Sequence, residues 1–109
     1  LSVVNEQIGS PTYTVDLADF IVYILQTNTF GTYHCSNEGY CSWNDFAKEI
    51  FRIAGMDVKV NDVATKDYKT AAVRPLNSRL DKQCLKDCGY GVMPSWKDAL
   101  KRYMKEIEQ

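Results

Sequence analysis

Three stretches of the chain repeat apolar residues at the three- and four-residue spacing of an amphipathic helix. This pattern predicts helices over residues 15–26, 42–54 and 94–107, and a shorter helix over 81–88. The expected buried faces are, in chain order, Leu17, Phe20, Ile21, Ile24 and Leu25; then Trp43, Phe46, Ala47, Ile50 and Phe51; then Trp96, Ala99, Leu100, Tyr103, Met104 and Ile107.

The ends of these helices have recognisable signals. Ser42, followed three residues later by Asp45, is typical of a helix start at which a serine oxygen accepts a hydrogen bond from a free amide. Gly55 is expected to end the same helix in the left-handed conformation. Thr14 or Asp16 is expected to cap the first helix, and for Asp16 this role is favoured over a role in binding.

Strands are predicted over residues 2–5, 32–36 and 58–63. Residues 7–12 contain glycine and proline, and residues 66–77 have little periodicity, so both segments are predicted to be loops. The expected fold class is therefore α/β, or α+β-like: one small domain of residues 1–109 in which helices pack on a few short strands.

Composition narrows the classes of function. With 109 residues and 45% hydrophobic residues, the chain can bury a core. Thirteen basic and fourteen acidic residues give a net charge of -1, which argues against nucleic acid or an anionic membrane surface as a partner. The longest apolar run, residues 20–25, is too short to span a bilayer, and no signal peptide is evident. The chain is expected to be cytoplasmic.

The sequence contains few motifs that indicate metal binding, cofactor binding or catalysis. The four cysteines, at positions 35, 41, 84 and 88, form no C-x-x-C pair, so reduced thiols are favoured over zinc or a disulfide. Residues 89–91 read Gly-Tyr-Gly but do not continue as a dinucleotide fingerprint. The single histidine, His34, has no catalytic partner that the sequence can identify. No catalytic, cofactor-binding or metal-binding residue is therefore predicted in this chain.

Four segments, in order along nearly the whole chain, resemble the dTDP-4-dehydrorhamnose reductases, which are extended short-chain dehydrogenases. Residues 3–18, VVNEQIGSPTYTVDLA, are similar to the family segment VVxDQxGxPTYxxDLA, with Glu6 in place of the usual aspartate. Residues 33–47 are similar to YHxxNxGxxSWxxFA, residues 74–81 to RPxxSxLD, and residues 94–103 to the PxWxxALxxY ending.

The resemblance implies that this chain is the carboxyl-terminal, substrate-binding part of such an enzyme. In the family, the catalytic Tyr-x-x-x-Lys pair and the glycine-rich cofactor loop lie in an amino-terminal Rossmann domain. No tyrosine here is followed by lysine four positions later, and the first residue is not methionine. The chain is therefore expected to be a fragment that lacks the Rossmann domain and is inactive alone.

Candidate substrate-binding residues follow from the family segments. Arg74 is the strongest, because a guanidinium matches diphosphate oxygens, Pro75 stiffens the segment, and related epimerases use an arginine at this position. Gln7 and Thr12 lie in a loop that could hold a sugar or a diphosphate, or could be an ordinary turn. Arg79 is a weaker candidate that could instead form a surface ion pair.

For the intact protein, the resemblance implies reduction of the 4-keto group of dTDP-6-deoxy-L-lyxo-4-hexulose by NADPH or NADH to give dTDP-L-rhamnose. It also implies the chain's own Rossmann domain as a partner. Homodimers occur in the family, sometimes with Mg²⁺ at the interface, and both are carried over here as expectations. Two alternatives stay open: a regulatory subunit of the methionine adenosyltransferase type, and a sibling epimerase or dehydratase that acts on another nucleotide sugar.

Overall fold

Two small sheets and three longer helices form the framework of the domain, seen here in a computed structural model that describes residues 1–108. The helices are α1 (Thr14–Leu25), α2 (Trp43–Ala54), the short α3 (Gln83–Asp87) and α4 (Trp96–Ile107). The strands are β1 (Ser2–Val4), β2 (Ile8–Gly9), β3 (Cys41–Ser42) and β4 (Asn61–Val63), and a 3₁₀ turn covers Thr65–Asp67. The predicted α/β class, with helices packed on a few short strands, is confirmed.

The two sheets join distant parts of the chain. Strand β1 pairs in parallel with β4, with Val4 opposite Val63, and β2 pairs antiparallel with β3, with Ile8 opposite Ser42. Asn44, in the first turn of α2, is buried, and its side-chain amide donates to the carbonyls of Val3 and Asn61 at 3.0 and 3.2 Å. This side chain fixes α2 across the first sheet.

The predicted ends of α2 are confirmed. The hydroxyl of Ser42 accepts from the amide of Asp45 at 3.0 Å, and the Asp45 carboxylate accepts from the Ser42 amide in return. Gly55 ends the helix at a φ of 69°, a left-handed conformation that favours glycine. The short-range sequence pattern determines this helix because both caps are local.

The core lies between α2 and α4. Cys41, Trp96 and Leu100 are buried together, and a ring of partly buried apolar side chains packs around them: Phe46, Ile50, Ile53 and Met104. The predicted faces of α2 and α4 supply most of these residues, but Cys41 and Ile53 come from outside them. Three members of the predicted faces are exposed: Trp43 at 56%, Tyr103 at 46% and Ile107 at 59%.

The prediction for α1 is only partly right. Leu17, Phe20 and Ile24 are partly buried, but Ile21 is 46% and Leu25 is 78% exposed. Apolar residues surround most of this helix, so its spacing gives little indication of which side packs on the rest of the domain.

The predicted strand over residues 32–36 is wrong. No strand forms there: Tyr33 and Cys35 are partly buried, His34 between them is exposed, and Ser36 is buried. Tyr33 instead donates from its hydroxyl to the Thr29 carbonyl at 2.7 Å and lies 3.8 Å from the Cys88 sulfur. Side-chain contacts from a loop have produced a strand-like pattern.

The start of α4 provides a local test of stability. The hydroxyl of Ser95 accepts from the Asp98 amide at 3.1 Å. Ser95→Ala is expected to lower the free energy of unfolding by about 1 kcal/mol because the amide loses its acceptor. Urea denaturation measures this change; Ser95→Asp, which keeps an acceptor at the exposed cap, should stay close to wild type. Equal losses in both variants would contradict the role of the cap.

Candidate functional site

A cleft of about 450 Å³ lies where β2 and the loop that follows it meet the start of α2 and residues 74–78. Its wall contains Gln7, Pro11, Trp43, Arg74 and Ser78. The volume is within the range of small-molecule sites in proteins.

Backbone hydrogen bonds bring the walls of the cleft together. The Ile8 amide donates to the Leu76 carbonyl at 2.9 Å, and the Ser78 amide donates to the Ile8 carbonyl at 2.8 Å. On its other side, Ile8 pairs with Ser42 of β3. Strand β2 therefore lies between the Arg-Pro segment and the start of α2, although these segments are far apart in sequence.

Two of the four predicted site residues, Gln7 and Arg74, meet in this cleft. Arg74 is exposed and Gln7 is partly buried. Within residues 1–108, neither side chain has a hydrogen-bond or ion-pair partner. A guanidinium and an amide without protein partners in one concave site provide donors for an anionic, polar ligand.

Thr12 lies apart from these two residues. Its hydroxyl donates to the Ser10 carbonyl at 3.1 Å, as in a local turn. It lines a separate, largely apolar pocket of about 250 Å³, together with Tyr13, Trp96 and Tyr103. The structure therefore gives Thr12 a structural contact and does not place it beside Arg74.

Arg79 also lies outside the cleft. Its Nε donates to the Asn77 side-chain oxygen at 2.9 Å, and its guanidinium carbon lies 5.6 Å from the centre of the Tyr40 ring. It borders a different surface depression, with Lys82 and Lys86. The sequence ranked Arg79 below Arg74, and the observed partners of Arg79 are Asn77 and Tyr40.

The expected cap role of Asp16 is wrong. Tyr13 precedes the first turn of α1, and no side chain caps that turn. Asp16 is buried, and both its oxygens accept from the Arg102 guanidinium at 2.8 and 2.7 Å. These bonds hold the pKa of the Asp16 carboxyl below its usual value, and they raise the pKa of Arg102. Asp16 thus joins α1 to α4.

Asn37 is a structural residue that the sequence analysis missed. It is fully buried, and its side-chain oxygen accepts from the Tyr13 amide at 2.7 Å. Its side-chain nitrogen donates to Asp16 at 2.8 Å and to the Pro94 carbonyl at 3.0 Å. One side chain therefore fixes the end of the loop that begins at Gln7. The only sequence signal was its place in the segment resembling YHxxNxGxxSWxxFA.

Lys82 was also missed. Only 7% of the residue is exposed, and its ammonium donates to the Asn37 carbonyl at 3.1 Å and lies 3.2 Å from a Glu38 carboxylate oxygen. Since a buried charge is costly unless it is paired, these contacts are required for its position. Lys82 ties the end of the Arg74–Asp81 segment to the loop that contains Asn37.

All four cysteines are free thiols, and burial raises the pKa of Cys41 to about 11. Among residues 1–108, no three His, Cys, Asp or Glu side chains are grouped so that they could hold a metal ion. The Mg²⁺ that the family resemblance suggested thus gains no support from the described residues. In the same part of the chain, no helix is long and apolar enough to cross a membrane.

Comparison with known proteins then defines the family. A family model described as "RmlD substrate binding domain" matches residues 1–109. The chain belongs to the RmlD substrate-binding domain family.

Solved structures of dTDP-4-dehydrorhamnose reductases have the same fold as this RmlD substrate-binding domain. A reductase from Clostridium acetobutylicum is 40% identical, with a TM-score of 0.95 over 100% of this chain. A reductase from Bacillus anthracis, solved in complex with NADP, is 46% identical, with a TM-score of 0.93 over 97% of this chain.

A curated relative of this RmlD substrate-binding domain is the spore coat polysaccharide biosynthesis protein SpsK of Bacillus subtilis. It is 38% identical over 107 residues, which are 97% of this chain. The chain spans 37% of SpsK, 38% of the Bacillus anthracis reductase and 39% of the Clostridium acetobutylicum reductase.

Proposed function

We propose that this domain binds the nucleotide-sugar substrate of a dTDP-4-dehydrorhamnose reductase, and that the cleft holding Gln7 and Arg74 is the binding site. The observation that carries the proposal is that these side chains, drawn from two separate family segments, meet in one cleft without partners among the described residues. The match to the substrate-binding family over residues 1–109 gives the ligand class.

In this proposal, Arg74 binds the diphosphate. Its planar fork of donors matches two phosphate oxygens, and the positive charge offsets theirs. Gln7 adds an amide that can both donate and accept. Since Ile8 is hydrogen-bonded to both neighbouring segments, the backbone segments that carry the two side chains are joined before the ligand arrives. Thr12 and Arg79 stay predicted contacts with weaker support, because both lie outside the cleft.

The whole protein, in this proposal, reduces the 4-keto group of dTDP-6-deoxy-L-lyxo-4-hexulose to give dTDP-L-rhamnose. A nicotinamide cofactor would supply the hydride, and a tyrosine assisted by a lysine would supply the proton. This chain's residues bind and orient the sugar nucleotide for that step. The proposed partner is a Rossmann domain in the portion of the relatives that this chain does not span.

NADPH is favoured over NADH because a similar reductase was solved with NADP. A cytoplasmic location is proposed from the four free thiols, which a reducing compartment preserves. A homodimer stays a prediction, and Mg²⁺ is not included. Neither the regulatory-subunit alternative nor the epimerase or dehydratase alternative is favoured by the names of the similar proteins above.

A binding experiment on the 109-residue chain tests the proposal. Calorimetric titration with dTDP is expected to show saturable binding, whereas NADPH should not bind. With NADPH and the 4-keto sugar nucleotide together, the absorbance of the reduced nicotinamide should stay constant, because no residue here is positioned for hydride transfer.

Circular dichroism of the same sample supplies the control that the chain is folded. Measurable turnover by the chain alone would contradict the assignment of catalysis to another domain. Failure of dTDP to bind both the folded chain and the complete protein that carries it would contradict the proposed function.

A further inference from the structure

Trp43 is a large apolar side chain that lies on the wall of the cleft with 56% of its surface exposed. The other tryptophan, Trp96, is only 6% exposed and belongs to the core. A tryptophan left exposed on the wall of a cleft gives up the stabilisation that burial would provide. This exposure suggests that Trp43 has a ligand of its own.

Trp43 and Gln7 line the same cleft and are chain neighbours of one strand pair. Strands β2 and β3 run antiparallel with Ile8 opposite Ser42, and Gln7 and Trp43 adjoin this pair at the same end of the two strands. On the other side of β2, the Ile8 amide is bonded to the Leu76 carbonyl. The indole, the Gln7 amide and Arg74 therefore border one cavity.

The indole of Trp43 is held in its orientation by a contact with Phe46. Trp43 contacts Phe46 edge to face, with ring centres 6.1 Å apart and an angle of 71° between the rings. Phe46 in turn contacts Trp96, also at 6.1 Å, which anchors the pair to the core. The indole is thus held in place on one side while more than half of it stays exposed.

The geometry points to Trp43 as the platform on which the pyrimidine base of the sugar nucleotide stacks, a contact that positions the base in the proposed binding site. This inference rests on the proposed function, in which Arg74 binds the diphosphate of the sugar nucleotide. That diphosphate is bonded to a nucleoside at one end and to a hexose at the other. The hexose must reach reacting groups outside this chain. The nucleoside is then the part of the ligand that this domain binds.

The side chains on the wall of the cleft fit a nucleobase. Aromatic side chains stack on the flat faces of nucleobases, whichever base is present. The amide of Gln7 carries one donor group and one acceptor, which match the alternating acceptors and donor on the imide edge of thymine. A hexose has no planar face and would use the indole less fully.

The test measures binding of three probes to the complete protein that carries this domain: thymidine monophosphate, dTDP and inorganic pyrophosphate. Trp43→Ala is expected to weaken the binding of both nucleotides by about tenfold and to leave pyrophosphate unchanged. Trp43→Phe should recover most of the nucleotide affinity because it keeps a flat ring. Circular dichroism shows whether each variant is folded.

Fluorescence of the wild-type protein gives a second measurement that does not depend on Trp43→Ala being folded. Stacking of thymine should quench the emission of an exposed tryptophan, and the difference from Trp43→Phe isolates the signal of Trp43 from all other tryptophans. Thymidine monophosphate should quench this signal, whereas pyrophosphate should not.

The outcomes separate this inference from the proposed function. Unchanged affinity for dTDP in folded Trp43→Ala, with no quenching in the wild type, overturns the inference and leaves the function in place. An equal loss of affinity for pyrophosphate and for dTDP in folded Trp43→Ala also overturns it, because the indole would then support the diphosphate and not the base. If wild-type protein binds no dTDP, the proposed function itself fails.

Discussion

Under the proposed function, replacing Arg74 with alanine in the complete protein that carries this domain is expected to raise the KM for the dTDP-sugar about tenfold or more. The guanidinium is exposed in the cleft and has no protein partner among residues 1–108, so its removal should leave the fold intact. A hydrogen bond to a charged group contributes about 1.5–3 kcal/mol, which corresponds to this range of affinity. Steady-state kinetics at varied dTDP-sugar concentration measure the change.

Three variants sharpen this prediction. Arg74→Lys keeps the charge but loses the planar fork, so it should give an intermediate KM. Arg52→Ala removes an exposed arginine whose guanidinium pairs with Glu49, away from the cleft, and should leave the KM unchanged. Arg79→Ala should have a much smaller effect than Arg74→Ala, because its side chain contacts Asn77 and Tyr40.

A KM equal to that of wild type in Arg74→Ala would remove this residue from the binding site. An equal rise in Arg79→Ala would place the diphosphate in the depression beside Tyr40 instead. The expected effect on kcat is small if Arg74 binds the ground state and the transition state equally well.

The features that the sequence predicted well are those with local causes. The serine and aspartate of the α2 capping box are three residues apart, and Gly55 follows directly after the helix. Such signals do not depend on the rest of the fold. The loop character of residues 7–12 followed likewise from its own glycine and proline, apart from the two-residue strand β2.

The features that the sequence could not predict depend on contacts between distant residues. Asp16 lies in the first turn of α1, close to the predicted helix start, and its actual partner is Arg102, 86 positions later. The half-exposed α1 and the absent strand at residues 32–36 have the same origin, because neighbouring elements determine which apolar residues are covered.

The candidate site was predictable only in part, for a related reason. The family segments identified Arg74, Gln7, Thr12 and Arg79 as one set, but similarity along a sequence does not state which side chains face one another. The β-bridge between Ile8 and Asn77 and the pairing of Ile8 with Ser42 determine which side chains line the cleft. They bring Trp43 into the site, where the sequence had indicated only a helix residue.

The second large effect is expected in the buried network around Asp16. Asp16→Ala should lower the free energy of unfolding by about 3 kcal/mol, because it leaves Arg102 and the Asn37 amide without their carboxylate. The lower end of the range for buried pairs applies, since the Arg102 side chain is 39% exposed. Urea denaturation of both proteins measures the difference.

Asp98→Ala is the matched control because Asp98 pairs with the same Arg102 from an exposed position one helical turn away. Its 59% exposure predicts a loss of only about 0.5 kcal/mol. If both variants lost the same free energy, burial of Asp16 would not explain its contribution.

The pH dependence gives an independent check on the same network. The Arg102 guanidinium lowers the pKa of Asp16 in the folded protein, so the folded state holds the ionised carboxylate more strongly than the unfolded state does. The stabilisation is therefore complete above the unfolded pKa of about 4 and is lost as pH falls through the lower folded pKa. Asp16→Asn removes this titration, so its stability should fall less steeply than that of wild type below about pH 4. Identical slopes for the two proteins in acid would mean that other carboxylates cause the acid sensitivity of the fold.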